Sequence, residues 1–496
     1  MDEFIRRYQL GEPQVVSNTI VADLDTPVSA YMKLAANEPY SFLLESVEGG
    51  EIRGRYSIIG LRPDVIWRND GNKTTICRNA DQPEANIYEP QEGAPLNALR
   101  ALLNESHIEL PHPLPPMAAG LVGYMAYDMV RQMETLGPAK PDPLGLATSI
   151  FVRPTIMAIF DSVTNLITLV TPVRPTTGGD AEGAYLAADN RLDIMLDRLD
   201  APLPLMPSIS MPEIAEATSN TSREHFHKMV AKAQDYILAG DIFQVVLSQR
   251  FSMPFELPPF SLYRALRRTN PSPFMYHLAF EDFAIVGSSP EILVRLRNDE
   301  VTIRPIAGTR KRGTNPVEDK ALSENLLADE KELAEHLMLL DLGRNDVGRV
   351  AKPGTVKVTS RNTIELYSHV MHIVSNVVGD IDPKYDAINA LAAGFPAGTV
   401  SGAPKIRAME VIDELEVDAR GPYAGGVGYF SAGGAMDTAI VLRTAIVKDG
   451  VMHVQAGAGV VADSDPESEY QECKNKARAL MVAAEEALRF AGSNRG

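Results

Sequence analysis

Two stretches of this 496-residue chain put paired carboxylates at helical spacing. Glu469, Glu472 and Lys476 fall at i, i+3 and i+7 of a helix predicted from Pro466 to about Phe490. They lie about one residue's rotation from the apolar stripe of Tyr470, Cys473, Ala477, Leu480, Ala484 and Leu488. Glu332 and Glu335 repeat the spacing in Asp329–Leu340, where Leu333, Leu337 and Leu340 are expected to face a core. Carboxylates with an ammonium beside a buried face suit a hard cation held together with an anion. A solvated salt-bridge face is the common alternative for either helix. With two such helices and glycine-rich loops nearby, a shared Mg²⁺ site stands level with that alternative. Mg²⁺ takes oxygen ligands and keeps several waters, so a small anionic substrate would complete its shell better than a cage of side chains.

Other candidate groups surround these helices in sequence. Gln455-Ala-Gly-Ala-Gly459 lets a backbone approach something small and expose its N–H groups. Gly287-Ser-Ser-Pro-Glu291 reads as a turn presenting a single carboxylate. Ile303–Gly313 is a strand leaving into a basic loop, without the Gly-Lys-Ser/Thr offset of a Walker A loop. The cluster Arg304, Arg310, Lys311 and Arg312 could serve a small anion. Pro396–Lys405 is a small-residue loop opening a helix over 406–416, with the wrong spacing for a nucleophile elbow. His369 and His372 alternate with apolar residues on a predicted strand, where a spacing of three points them to opposite faces and argues against zinc.

The elements that must position these groups follow from the whole chain. Its length suggests two domains or one large two-layer body, and 45% hydrophobic residues can fill a large core. A net charge of −18 disfavours a nucleic-acid or anionic-membrane surface. No run reaches membrane-spanning length, the N-terminus lacks a signal-peptide core, and two cysteines make no disulfide framework. Cytoplasm is the expected compartment. In the first half, Ser41–Ser46 and Arg55–Gly60 read as strands, 151–160 with 166–173 as a hairpin, and 180–199 as a helix. Residues 201–222, rich in Pro, Ser and Asn, form the best linker. The expected division is therefore 1–200, a linker over 201–222, and 223–496. After the linker a capping box at Thr221–Glu224 starts a helix, followed by strands at 241–251, 274–278 and 283–287.

Taken together, Asp241-Ile-Phe-Gln-Val-Val246, Gly287–Glu291, Pro305-Ile-Ala-Gly-Thr-Arg310, Asp329–His336, Arg344–Arg349, Pro396–Lys405 and 455–476 resemble the chorismate-utilising enzymes. The likeness runs in order through 220–490. It extends upstream through Leu43-Leu-Glu-Ser46, Arg55-Tyr-Ser57 and Gly120-Leu-Val-Gly-Tyr124. The resemblance implies an α+β fold of large antiparallel sheets packed in a sandwich with helices outside, and N- and C-terminal strands that can interleave. Within the family the chain is most similar to the branch that makes anthranilate from chorismate and ammonia. Members making aminodeoxychorismate commonly carry a nucleophilic Lys where this chain has Ala307, and those adding water carry a Lys base where it has Gln244. Gln cannot deprotonate water, which favours ammonia as nucleophile. An aminodeoxychorismate producer and a non-catalytic tryptophan sensor are the alternatives. The four glutamates speak against the latter.

Carried over by motif, the resemblance implies Glu332, Glu335, Glu469 and Glu472 around Mg²⁺. It implies Glu291 as general acid, its pKa raised by nearby carboxylates, with His372 in the elimination step. Gln244, Thr309 and Thr399 would contact the reacting groups, while Tyr423, Arg443, Gly457, Gly459 and Lys476 grip a substrate carboxylate. The sequence contains no amidotransferase cysteine motif, so a separate glutaminase subunit is implied. Glu45, Ser46, Pro273, Phe274 and Met275 resemble the family's tryptophan effector site.

Overall fold

The structure, a computed structural model, describes residues 1–48, 52–82, 87–204, 215–367 and 370–491. Its strands form one antiparallel network organised around two long strands. Strand β1 (Ser41–Glu48) pairs with the first half of β2 (Ile52–Asp70). Strand β3 (Gly120–Met125) pairs with the first half of β4 (Ser149–Asp161), and β2 and β4 pair with each other from Tyr56↔Asp161 to Asn69↔Ser149. Their register shifts between Pro63 and Val65, beside Arg62 at φ 51°. On either side of this irregularity the two strands belong to different sheets.

The first sheet continues from β1 through strands of the second half. These are β5 (Gln244–Pro254), β6 (Phe274–Ala279), β7 (Phe283–Ser289), a strand over Thr444–Lys448, and later Val451–Val460. Their spatial order is β1, β6, β7, Thr444–Lys448, Val451–Val460, β5. The second sheet contains β8 (Ile306–Lys311), β9 (Val370–Asp380) and β10 (Gly426–Ser431). It runs from β3 to β10, through Met436–Ile440, Ile292–Arg297 and Glu300–Ile303, to β9 and β8. Strands of the first 200 residues thus bond directly to strands after 223, β1 with β6 and β3 with β10.

The sheets face each other over a core that joins Phe42, Tyr276 and Ile285 of the first to Val122, Ile150 and Val427 of the second. Tyr124 on β3 meets Phe283 on β7 edge-on, with ring centroids 6.1 Å apart. This two-sided burial explains why β3 is buried at every position instead of alternating. Helices cover the outer faces. Helix α1 (Pro259–Thr269) lies against α4 (Pro466–Ala491), whose Cys473, Ala477, Leu480, Ala484 and Leu488 are buried as the sequence indicates. Between them in sequence come α2 (Glu330–Gly348), capped by the Asp329 carboxylate, and α3 (Lys405–Leu415).

Three expectations need correction. In α2 the buried face is His336, Leu339, Leu340, Gly343 and Val347; Leu333 is only partly buried, and Leu337 is 46% exposed. The helix is rotated because Leu333 serves a small side cluster with Leu326, Met371 and Ile373 rather than the main core. The helix Arg223–Leu238 is capped by Ser222, whose hydroxyl accepts the His225 N–H, and not by Thr221. Within the linker, residues 205–214 lie outside the described residues, and Thr218–Ser219 adds a short strand beside β5.

Candidate active site

The β8–β9 pair builds the first part of the site. Its register shifts between Ala307 and Thr309, with Gly308 at φ +69°, a conformation that disfavours any side chain. The bulge aims the Gly308 carbonyl at His372 Nδ1, 3.0 Å away, and sets the Thr309 hydroxyl 3.1 Å from the same nitrogen. A proton on Nδ1 satisfies the carbonyl and leaves Nε2 with its lone pair. Burial lowers the His372 pKa to about 4, so the ring is neutral at physiological pH and can accept a proton. The edge-on Tyr367 ring, at 5.3 Å, fixes its plane. His369 lies outside the described residues.

Glu291 follows β7 and is held by its backbone. Its carbonyl accepts the Ile440 N–H at 3.0 Å, and the Ser289 hydroxyl donates to the Ile440 carbonyl at 2.6 Å. The buried carboxyl accepts one hydrogen bond, from Thr399 Oγ1 at 3.1 Å. Burial raises its pKa to about 8, against the smaller lowering effects of Thr399 and the Arg443 charge. The cause is therefore desolvation, not the neighbouring carboxylates expected from the sequence. Arg443 has φ 47°, and among the described residues its guanidinium has no hydrogen-bond partner. Burial lowers its pKa. A cation left without a carboxylate in a half-buried position is ready to receive an anion.

Helices α2 and α4 bring the glutamates to the other part of the site. Glu335 Oε1 accepts from Gln244 Nε2 at 3.2 Å, while Gln244 Oε1 is buried without a partner. Burial raises the Glu335 pKa, and the charges of Glu332 and Glu472 add to the rise; Glu469 is raised by burial and by Glu472. Glu332 is bound by Arg310 at 3.0 Å, and Glu472 by Lys476 at 2.7 Å. Lys476 also donates to the Gly457 carbonyl at 3.0 Å. The glycines have a steric reason: a Cβ on Gly459 would lie 2.7 Å from Gln244 Nε2, and one on Gly457 2.7 Å from the Tyr423 hydroxyl. The Arg420 guanidinium, 5.4 Å over the Tyr423 ring, holds that ring in place.

Among the described residues, no three acidic, histidine or cysteine side chains converge as a ready metal cage. The donor set nevertheless fits Mg²⁺. It is all oxygen, the Glu472 charge on α4 helps raise the pKa of Glu335 on α2, and an unpartnered amide oxygen stands beside them. Waters and substrate oxygens can supply the remaining ligands.

Two other groupings look different in three dimensions. The three arginines of the basic cluster are already paired, Arg304 with Glu365, Arg310 with Asp329 and Glu332, and Arg312 with Asp319, while Lys311 is exposed. The proposed effector residues do meet, since Ser46 is opposite Phe274 and Glu45 opposite Met275 across β1–β6, with Pro273 next to them and partly buried. The Glu45 carboxylate is already bound, however, by Arg267 at 2.6 and 2.9 Å and by the Tyr263 hydroxyl at 2.5 Å. Sequence reasoning passed over this pair, although Tyr263 and Arg267 stand four residues apart, one turn of helix α1. It also passed over Tyr367, and a lone tyrosine before a histidine strand carries no signal.

A family model described as chorismate binding enzyme matches residues 51–482. The chain belongs to that family. Among curated members of the chorismate-binding family, it is 56% identical over 491 residues to an anthranilate synthase component 1 from Cereibacter sphaeroides, covering 99% of this chain and 98% of that one. It is 50% identical over 469 residues to the protein of the same description from Thermus thermophilus, covering 94% and 97%. Among solved structures, anthranilate synthase component I from Streptococcus pneumoniae superposes with a TM-score of 0.76 at 38% identity, covering 93% and 99% of the two chains. The menaquinone-specific isochorismate synthase of Escherichia coli shares the fold, with a TM-score of 0.71 at 19% identity and coverage of 97% and 98%.

Proposed function

We propose that this member of the chorismate-binding family converts chorismate and ammonia to anthranilate and pyruvate by way of 2-amino-2-deoxyisochorismate. One observation supports the reading: a chain 56% identical from end to end to an anthranilate synthase component 1 sets Glu291, its pKa raised by burial, and His372, its pKa lowered by burial, near Arg443, whose guanidinium has no hydrogen-bond partner among the described residues. In the first step ammonia bonds to C2, the ring double bonds shift, the C4–O bond breaks, and the new ammonium gives up a proton to solvent. Glu291 gives its proton to the departing hydroxide, which leaves as water. In the second step His372 Nε2 takes the C2 proton, the C3–O bond breaks as the ring becomes aromatic, and the released enolpyruvate takes a proton on its methylene carbon to give pyruvate. Arg443, Tyr423 and Lys476 hold the enolpyruvyl carboxylate, with Gly457 and Gly459 leaving room for it. Thr399 orients Glu291, Thr309 stands beside the elimination histidine, and the Gln244 amide faces the attacking nitrogen. Glu332, Glu335, Glu469 and Glu472 would hold Mg²⁺, which when bound neutralises the substrate's ring carboxylate.

Ammonia comes from a second polypeptide with glutaminase activity. Both cysteines are buried, and burial pushes the Cys473 thiol up to about 12, far from a nucleophilic thiolate. The region 1–200 with Pro273–Met275 takes tryptophan as a feedback effector, and 223–496 carries the chemistry. The compartment is the cytoplasm; no described helix is long and apolar enough to cross a membrane. The test is direct. Purified protein with chorismate, Mg²⁺ and ammonium at alkaline pH should develop anthranilate fluorescence, and glutamine should not replace ammonium. No fluorescence with either nitrogen source would overturn the assignment.

A further inference from the structure

His336 follows Glu335 on α2 and lies one turn after Glu332, but it points into the protein, fully buried. Its Nε2 is 2.6 Å from the hydroxyl of Ser375, an equally buried residue on β9. That hydroxyl also accepts the backbone N–H of Asn362 at 3.0 Å. The hydroxyl has one proton and two lone pairs, so it bonds Nε2 in either ring tautomer while accepting the Asn362 N–H. His336 Nδ1 is buried without a hydrogen-bond partner. Asn362 adopts φ 52° where the strand Lys357–Leu366 breaks register against β9. The whole arrangement costs more than two apolar side chains of the same volume would. What a buried polar bond adds is a single allowed register between the elements it joins.

We propose that His336 is a positioning residue, whose bond to Ser375 fixes α2 on β9 so that Glu335 faces Glu472, with Glu332 one turn before His336, while β9 presents His372. The inference rests on the reading of those glutamates as the Mg²⁺ site. The Glu335 carboxylate and the inward-facing histidine belong to successive residues of one helix, and Glu332 lies one turn earlier on it. A slip of α2 along β9 would therefore move both glutamates together, away from α4. Orienting partners of this kind are typically worth about 10–100-fold in metal affinity.

The test compares His336→Met, which fills the space without the bond, with His336→Gln, whose amide can meet the Ser375 hydroxyl. Mg²⁺ binding is read by titration calorimetry, alongside the Mg²⁺ concentration for half-maximal activity. His336→Met should weaken both about tenfold or more, with kcat at saturating Mg²⁺ within about twofold of the parent, and His336→Gln should stay near the parent. Ser375→Ala should repeat the Met phenotype, and the double variant should add nothing to it. Parent-like Mg²⁺ binding in both His336→Met and Ser375→Ala, or a Gln variant as impaired as Met, overturns the proposal. If His336→Met does not fold, His336→Gln and Ser375→Ala decide alone. A parent protein that neither binds nor needs Mg²⁺ removes the metal assignment, and the positioning role falls with it.

Discussion

In the proposed mechanism Glu291 is the acid and His372 the base, and burial tunes each of them. Burial takes the Glu291 carboxyl to about 8 and the His372 imidazole to about 4, so both are neutral over the intervening pH range. At constant free ammonia, kcat/KM should fall as pH rises through about 8, as Glu291 loses the proton it must donate. A pH profile flat to 9.5 would remove Glu291 as the acid. Glu291→Gln should lose about 10²–10⁴-fold in rate. The same group makes a stability prediction. Its folded pKa is above its ordinary value of 4.5, so the folded state binds the proton more tightly, and stability is lost as pH rises through about 8. Glu291→Gln should therefore raise Tm more at pH 9 than at pH 5, as thermal scans at the two pH values can check. His372→Asn keeps an amide near the Gly308 carbonyl but removes the Nε2 lone pair. It should consume chorismate while the amino intermediate accumulates, visible by chromatography; equal loss of both steps would refute the division. Their motifs marked these residues as candidates. The tuning was not legible, because desolvation depends on which strands close over Glu291, and no local pattern states that.

At the level of elements, α2 and α4 hold like charges together at their margins, and α1 holds Glu45. Glu335→Gln or Glu469→Gln should cost most of the activity and leave the fold intact, since each removes a carboxylate whose burial disfavours its charge. Chelation of Mg²⁺ should have the same effect reversibly, and full turnover in excess chelator would refute the metal. On the effector side, Ser46 lies tight against Gly54, where a Cβ would come 1.6 Å from its hydroxyl. Ser46→Phe should fill the side-chain space beside its cross-strand neighbour Phe274 and relieve inhibition by tryptophan with little loss of uninhibited rate. Inhibition curves as sensitive as the parent's would exclude Ser46 from the effector site. Because Arg267 and Tyr263 already bind Glu45, an incoming ammonium must compete with them for that carboxylate. The stripe of α4 was readable from its spacing. The rotation of α2 was not: leucines at 333, 337 and 340 suit either a core or a side cluster, and only the neighbouring Met371 and Ile373 decide.

For the molecule as a whole, a proteolytic cut within 201–222 should leave both fragments together in gel filtration, since β1–β6 and β3–β10 bond across that boundary. Separation of the fragments under native conditions would contradict the interleaved sheets. The pairing of β3 with β10 also sets a timetable for the newborn chain. Met125 must wait for Gly426, a span of 301 residues, before its edge is covered. At about 5–20 residues per second, the ribosome leaves that edge open for roughly 15–60 s. A strand so apolar, waiting so long beside its neighbours on a polysome, is a natural client for chaperones, and yields of this protein should depend on them more than its finished stability would suggest.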